Sequence, residues 1–244
     1  MTRYRVLAAD YDGTLATDGA VTDATLAALQ RWKDSGRQLV LITGRQFDDL
    51  LDTFSALDLF DLVVPENGAM LYWPSDRTEK LLTAPPPEKF IDQLRDRILQ
   101  SNHPQSVAGE FSSLVSNQGL EWLGIGRVIV ATWMPHDDTV RDLIRELNLD
   151  LHIIMNKRAV MVLPKGVSKE SGLYAALAEL DVSPEEVVGV GDAENDADFL
   201  KLCGCSVAVE NALPSLKAQV DRVTQASRGD GVVELIDQIL AATS

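Results

Sequence analysis

The sequence predicts an α/β protein: a parallel sheet built from both ends of the chain, with a small α+β unit inserted between them. Three observations predict it. Short apolar runs alternate with helical stripes over the first 75 residues or so, the pattern of a parallel sheet with helices on both faces. Three consecutive prolines, Pro85-Pro86-Pro87, then break that rhythm, because they can continue neither a helix nor a central strand. After Pro164-Lys165-Gly166 the alternation returns and runs to the end.

The elements follow in order. Val6 to Ala9 is a buried strand. Thr22 suits a helix N-cap, and Leu26, Leu29 and Trp32 form a stripe ending before Gly36. Gln38 to Ile42 is a second buried strand, Gln46 to Leu57 a helix and Leu62 to Val64 a third strand. A Glu66-Asn67-Gly68 turn leads into a strand ending near Trp73. In the insertion we expect a helix from Glu88 to Gln100, a strand from Arg127 to Trp133 and a helix from Asp137 to Leu147. Two further strands flank Asn156-Lys157, whereas residues 102–126 carry no readable pattern. Beyond it, Ser168 caps a helix to Glu179, and Ser183-Pro184-Glu185-Glu186 has capping-box spacing. Val187 to Val190 and Ser206 to Val209 are strands, and a last helix runs from Val232 to Leu240. The expected division is a core of residues 1–82 and 166–244 with an inserted unit at 83–165.

Composition narrows the function. The 244 residues are 45% hydrophobic and 24% charged, ordinary for a globular protein, with no run long enough to span a bilayer. The N-terminus lacks the apolar stretch of a signal peptide, so a cytoplasmic protein is expected. Cys203 and Cys205 are too close for an easy disulfide, lack the neighbours of a zinc set, and read as small buried side chains. A formal net charge of −15 repels nucleic acid and anionic membranes. It also repels a phosphorylated substrate unless a cation reverses the local field.

Chemistry concentrates at strand ends and helix starts. Asp10-Tyr11-Asp12-Gly13-Thr14 follows the first strand. If extended backbone persists to Asp12, the two carboxylates project to one side and demand a cation or a shared proton. Gly13 permits a sharp turn. The carboxyl ends of parallel strands are where open α/β folds bind ligands. Thr43-Gly44-Arg45 follows the second strand and suits a phosphate oxygen. Lys169 lies in the first turn of a helix, where a cation is mildly unfavourable unless an anion is bound nearby. Gly191-Asp192-Ala193-Glu194-Asn195-Asp196 follows another buried strand with oxygen donors suited to Mg²⁺. Each segment alone has a plain structural explanation. Together they supply a nucleophile, a general acid, a metal and anion clamps.

In this order the four segments closely resemble those of the haloacid dehalogenase-like hydrolase superfamily. Glu66-Asn67-Gly68-Ala69, the Val207–Ala212 stretch and the placement of the insertion resemble its class IIB, Cof-type phosphatases. The resemblance implies a Rossmann-like core with a C2B-type cap, and a Mg²⁺-dependent phosphatase. It implies that Asp10 attacks phosphorus to form an aspartyl-phosphate. Asp12 would protonate the leaving oxygen and then activate water. Mg²⁺ would be held by Asp10, the Asp12 backbone carbonyl and Asp192, with Asp196 binding metal waters or orienting Asp192. Thr43, Gly44, Lys169 and Asn195 would hold phosphoryl oxygens. Asp12 is absent from the dehalogenases of the superfamily, so its presence points to phosphoryl chemistry.

The cap is expected to choose the leaving group. Arg45, Asn67, Arg127, Lys157 and Arg158 are candidate substrate contacts that no motif assigns. Cap size and chain length resemble phosphoglycolate and sucrose-phosphate phosphatases, so the expected partner is a small phosphorylated metabolite, with the protein a monomer or homodimer. Two alternatives remain open: a phosphomutase of the same superfamily, and a non-catalytic interaction protein on the same scaffold.

Overall fold

The structure is a computed structural model that describes residues 4–101, 122–156 and 158–242. Its larger sheet has eight strands in the order β12-β11-β10-β1-β2-β3-β4-β5. These are β1 (Val6–Asp10), β2 (Gln38–Ile42), β3 (Leu62–Val64), β4 (Met70–Trp73), β5 (Thr78–Leu81), β10 (Val187–Gly191), β11 (Cys205–Ala208) and β12 (Arg222–Val223). All neighbouring pairs from β12 to β3 are parallel, and β4 and β5 add an antiparallel hairpin at one edge. Every residue of β1 and β10 is buried, as a strand covered on both faces requires.

Helices α1 (Asp23–Asp34), α2 (Phe47–Thr53), α5 (Lys169–Leu180), α6 (Ala197–Leu202), α7 (Pro214–Lys217) and α8 (Arg228–Ala241) accompany this sheet, α1 packing on α8 and α5 on α6. The chain proceeds from β1 to β2 and β3 on one side, and returns as β10 and β11 on the other. The β1–β10 junction is therefore a topological switch point, where strand ends diverge and leave a crevice.

The second sheet is antiparallel, in the order β6 (Gly124–Ile125), β7 (Val130–Trp133), β9 (Ala159–Pro164), β8 (Leu151–Asn156). Helices α3 (Glu88–Gln100) and α4 (Asp137–Glu146) pack against each other, and Phe90, Leu94, Val140 and Leu143 share a core with Val130, Val160 and Val162. Alternation along β9 sends Met161 and Leu163 to the opposite face, in a cluster with Ala69 and Val167. The small sheet thus forms a cap seated on the larger one.

The expected elements differ from the observed ones in physically readable ways. The helix expected to reach Leu57 ends at Thr53, and Leu57–Leu59 forms a separate 3-10 turn. β5 is four exposed residues with no apolar alternation, α7 is also four residues long, and β12 is only two. α8 begins four residues early, through a Gly-rich turn that does not read as helix. The unreadable segment 102–126 lies largely outside the described residues.

The strand expected from Arg127 begins only at Val130. Residues 127–129 spend their backbone donors on one side chain. The buried Glu66 carboxylate accepts N–H bonds from Arg127 at 2.8 Å, Val128 at 2.7 Å and Ile129 at 2.9 Å, and a longer one from Phe47 at 3.3 Å. Glu66 therefore bolts the cap to the end of the core sheet. Arg127 reinforces the joint by pairing with Asp48 and Glu79 of the core at 2.7 and 3.1 Å. Substituting Glu66→Ala strands several buried donors, and should lower the unfolding free energy by about 3 kcal/mol. Urea denaturation of parent and variant measures it; a change below about 0.5 kcal/mol would contradict the bolt.

Candidate active site

The site assembles where β1, β2 and β10 end. Asp10 is the last residue of β1, Thr43 follows β2 and Asp192 follows β10. A fourth element arrives from the cap side: Ser168 caps α5 through a reciprocal bond pair with Ser171, which makes Lys169 the first helical residue. α5 approaches very closely. A Cβ at Gly172 would lie 2.4 Å from the Gly68 Cα, and one at Gly68 would lie 2.0 Å from the Ser168 carbonyl oxygen. Only two glycines allow this contact, and it delivers Lys169 to the sheet edge.

There the Lys169 ammonium donates to Asp10 Oδ1 at 2.6 Å and Asp196 Oδ1 at 2.5 Å, with all three side chains buried. Burial works against the ammonium charge, but Asp10 and Asp196 outweigh it and hold the Lys169 pKa above its ordinary value. Asp10 shows the reverse balance. Burial and the Asp196 charge push its carboxyl well above the usual range, although Lys169 pulls it down. Asp196 is itself fixed, its other oxygen accepting the Asp192 and Ala193 N–H groups at 2.9 Å each.

Asp10, Asp192 and Asp196 are all buried, and each presents an oxygen within 4.8 Å of the others'. The loop after β1 closes on this group. A Cβ at Gly13, where φ is +88°, would stand 2.3 Å from Asp192 Oδ2. The donor set is all carboxylate oxygen, which suits a hard divalent cation with water in its remaining positions. Its negative charge exceeds the single ammonium beside it. The residues therefore fit Mg²⁺.

Asp12 does not join that trio. The strand ends at Asp10, so the extended geometry that would have paired the two carboxylates is not kept. The Asp12 carboxylate instead takes a bidentate bond from Arg45, at 2.7 Å to each oxygen. Like charges separate, each with its own cation. Arg45 is buried, donates also to Asp49 at 2.8 Å and Thr53 at 3.2 Å, and lies over the Tyr11 ring. Burial alone would lower its pKa; its bonds to Asp12 and the charges of Asp12 and Asp49 raise it above the ordinary value.

The remaining candidates are placed as follows. Thr43 and Gly44 line a cleft of about 230 Å³ between core and cap, together with Asp10, Asp12, Lys169, Asp192 and Asn195. Thr43 Oγ1 accepts the Arg45 N–H at 3.1 Å. Asn195 donates to Asn67 Oδ1 at 3.2 Å, and its own Oδ1 has no partner among the described residues. Asn67 is buried in the left-handed region at φ 51°, with its amide nitrogen on Met161 Sδ of the cap. It props the cleft and is not part of its lining. Arg45 lines the cleft with its guanidinium already committed to Asp12 and Asp49. Arg127 is occupied by Asp48 and Glu79, Arg158 is exposed away from the cleft lining, and Lys157 lies outside the described residues. From the cap, Trp133, Asn156, Ala159 and Met161 form the roof. Sequence reasoning did not single them out, because nothing in an apolar strand marks which face meets a cleft.

The site is thus a carboxylate-rich crevice at the switch point of an α/β core, covered by a small antiparallel cap. The family model for haloacid dehalogenase-like hydrolases matches residues 7–138 and 136–236, and the chain belongs to that family. A phosphoglycolate phosphatase of Haloarcula marismortui is 30% identical over 94% of this chain and 95% of its own length. A Bacillus subtilis 5-amino-6-(5-phospho-D-ribitylamino)uracil phosphatase is 24% identical over 97% and 98%. Among solved structures, a haloacid dehalogenase-like hydrolase from Bacteroides thetaiotaomicron superposes with a TM-score of 0.77 at 19% identity, over 97% of this chain and 99% of that one. A sugar phosphatase of subclass IIB shares the fold at TM-score 0.71 and 18% identity, over 96% and 98%. The protein is accordingly a phosphoric monoester hydrolase by family.

The pair behind Asp12 has a measurable signature. Burial pushes the Asp49 carboxyl up to about 6, against the pull of Arg45. The folded state thus holds this proton more tightly than the unfolded chain. The stability Asp49 contributes is full below about pH 4 and lost as pH rises through about 6. Relative to Asp49→Asn, the parent should lose on the order of 2 kcal/mol between pH 4 and pH 7. Chemical denaturation across that range checks it; a difference independent of pH would contradict the assignment.

Proposed function

We propose that this protein hydrolyses a small phosphate monoester through an aspartyl-phosphate on Asp10, with Mg²⁺ as cofactor. The reading is carried by one observation: three buried carboxylates and one ammonium converge at the open end of a parallel sheet. Asp10, Asp192 and Asp196, with the Asp12 backbone carbonyl, would hold the metal. When bound, Mg²⁺ neutralises charge between the attacking carboxylate and the phosphoryl oxygens.

That neutralisation is needed, because each pair of unit charges at about 4 Å repels by roughly 4 kcal/mol at moderate effective dielectric. An Asp10 oxygen attacks phosphorus, and the bond from phosphorus to the ester oxygen breaks. The electron pair leaves with that oxygen, which takes a proton from Asp12, protonated on one oxygen for this half-reaction and still held by Arg45 through the other. Water then gives a proton back to Asp12 and attacks phosphorus, the acyl-phosphate bond breaks, and inorganic phosphate departs. Thr43, the Gly44 N–H, Lys169 and Asn195 hold phosphoryl oxygens.

Arg45 fixes where Asp12 stands in both half-reactions. Its carboxylate is 40% exposed, whereas that of Asp10 is 6% exposed, so Asp12 faces the incoming leaving group while Asp10 waits below. The roof excludes bulk water from the intermediate. The names of the relatives above support phosphorylated acids and sugar phosphates as substrates.

Two measurements test this reading. Asp10→Asn should reduce phosphate release from p-nitrophenyl phosphate by about a thousandfold or more while leaving the unfolding transition in place. Equal rates in the two proteins would remove Asp10 as nucleophile. Excess chelator should abolish turnover, Mg²⁺ should restore it, and Ca²⁺, which takes longer bonds and more ligands, should not. Phosphate release in step with substrate loss also separates hydrolysis from a mutase reaction.

A further inference from the structure

Three cations line the cleft, and two of them are committed. Lys169 is held by Asp10 and Asp196, and Arg45 by Asp12 and Asp49. The third, Arg228, is exposed and has no ion pair among the described residues.

Its position is built with care. Arg228 sits in the left-handed region at φ 51°, a conformation that costs a non-glycine residue on the order of 1 kcal/mol or more. The Asn211 side chain holds it there. Asn211 Oδ1 accepts the Arg228 N–H at 2.7 Å, and Asn211 Nδ2 donates to the Gly13 carbonyl at 2.8 Å. One amide therefore straps Arg228 to the loop that follows Asp12. Next to it, a Cβ on Gly229 would meet Thr25 Oγ1 at 2.3 Å and the Leu15 carbonyl at 2.9 Å. The start of α8 is thus pressed against the same loop from the other side.

Charge says what such a cation is for. Asp10, Asp12, Asp18 and Asp192 line the cleft, and the whole chain carries −15. A leaving group with its own negative charge would be repelled by these carboxylates, two of which already occupy the cations Lys169 and Arg45. The roof residues in the described structure, Trp133, Asn156, Ala159 and Met161, carry no charge to receive it.

We propose that Arg228 binds a second anionic group on the substrate, a carboxylate or a second phosphoryl group remote from the scissile ester, and so selects acidic phosphate monoesters over neutral ones. The inference rests on the phosphatase reading above and narrows it to a substrate class. A planar guanidinium takes either anion through paired N–H donors. Arg228 is a specificity residue and takes no part in bond making.

The test compares matched esters under Mg²⁺: 2-phosphoglycolate, 2-hydroxyethyl phosphate as its uncharged counterpart, and 1,3-propanediol bisphosphate. In the parent, kcat/KM should favour a charged ester over hydroxyethyl phosphate by about tenfold, and which charged ester is favoured identifies the anion. Arg228→Gln should collapse that ratio toward one, with the change in KM for the charged ester. Arg228→Lys should restore part of it, and Arg228→Glu should invert it. An unchanged ratio in Arg228→Gln, or no preference in the parent, overturns the inference while p-nitrophenyl phosphate turnover leaves the phosphatase reading intact. Turnover of p-nitrophenyl phosphate with none of these esters hydrolysed overturns the inference alone, and turnover of none of the four overturns both.

Discussion

The ammonium of Lys169, set between Asp10 and Asp196 at the carboxyl end of the sheet, is the contact on which the rest of the site depends. Three buried carboxylates within reach of one another cannot all remain charged in a medium of low dielectric without a cation among them. Lys169 supplies part of that charge permanently, and the excess it leaves is what a divalent ion would complete. Its arrival there is a matter of topology. The chain leaves the core after β5, builds the cap, and re-enters at Ser168 directly above the crevice. The glycine contact between α5 and the 66–68 turn sets the height at which it enters. A helix start that is mildly unfavourable for lysine in isolation becomes favourable through two anions from distant strands.

The same allocation of one cation per acidic group separates Asp10 from Asp12. They are two residues apart, yet one belongs to a buried ammonium and the other to a buried guanidinium. Tyr11, buried between them with its hydroxyl on the Gly19 carbonyl, keeps the two compartments apart and gives Arg45 a ring to lie on. In the proposed reaction this division matters. A nucleophile must stay next to phosphorus and out of bulk water, whereas a group that first gives and then takes a proton needs access to the leaving oxygen and to solvent. Different burial of the two side chains provides both from one turn of backbone.

Much of this was legible in the sequence. Buried strands of the Val-Leu-Ala-Ala and Val-Val-Gly-Val type announce themselves by composition, and the chemistry-bearing residues sit immediately after them. Asp10, Thr43 and Asp192 could thus be assigned to one edge of one sheet. Partnerships across the chain left no such trace. Arg45 and Arg127 read as candidate substrate contacts because Asp12, Asp48 and Glu79 lie tens of residues away in sequence, and the one near partner, Asp49 four residues after Arg45, is a common helical spacing that does not reveal a buried pair. Glu66 read as part of a turn, and nothing local shows that a carboxylate there will collect backbone donors from residues 127–129. Arg228 was invisible for a related reason: it precedes the helix read from Val232, and only the fold brings it, through Asn211, to Gly13. Short polar elements such as β5 were missed because they bury nothing.

The joint between core and cap bears on how substrates are chosen. Four backbone donors converge on the Glu66 carboxylate, three of them from the cap, and Arg127 pairs with two core carboxylates beside them. Breaking such a joint leaves buried groups unpaired, so any movement of the cap must pivot about this edge and leave it closed. Asn67, in the same turn, touches both Met161 of the roof and Asn195 of the core. The roof above the crevice is therefore referenced to the crevice's core side through a single turn of chain. In the proposed reading, selection then falls to the side chains that the pivot holds over the leaving group, and to Arg228, which has no ion pair among the described residues.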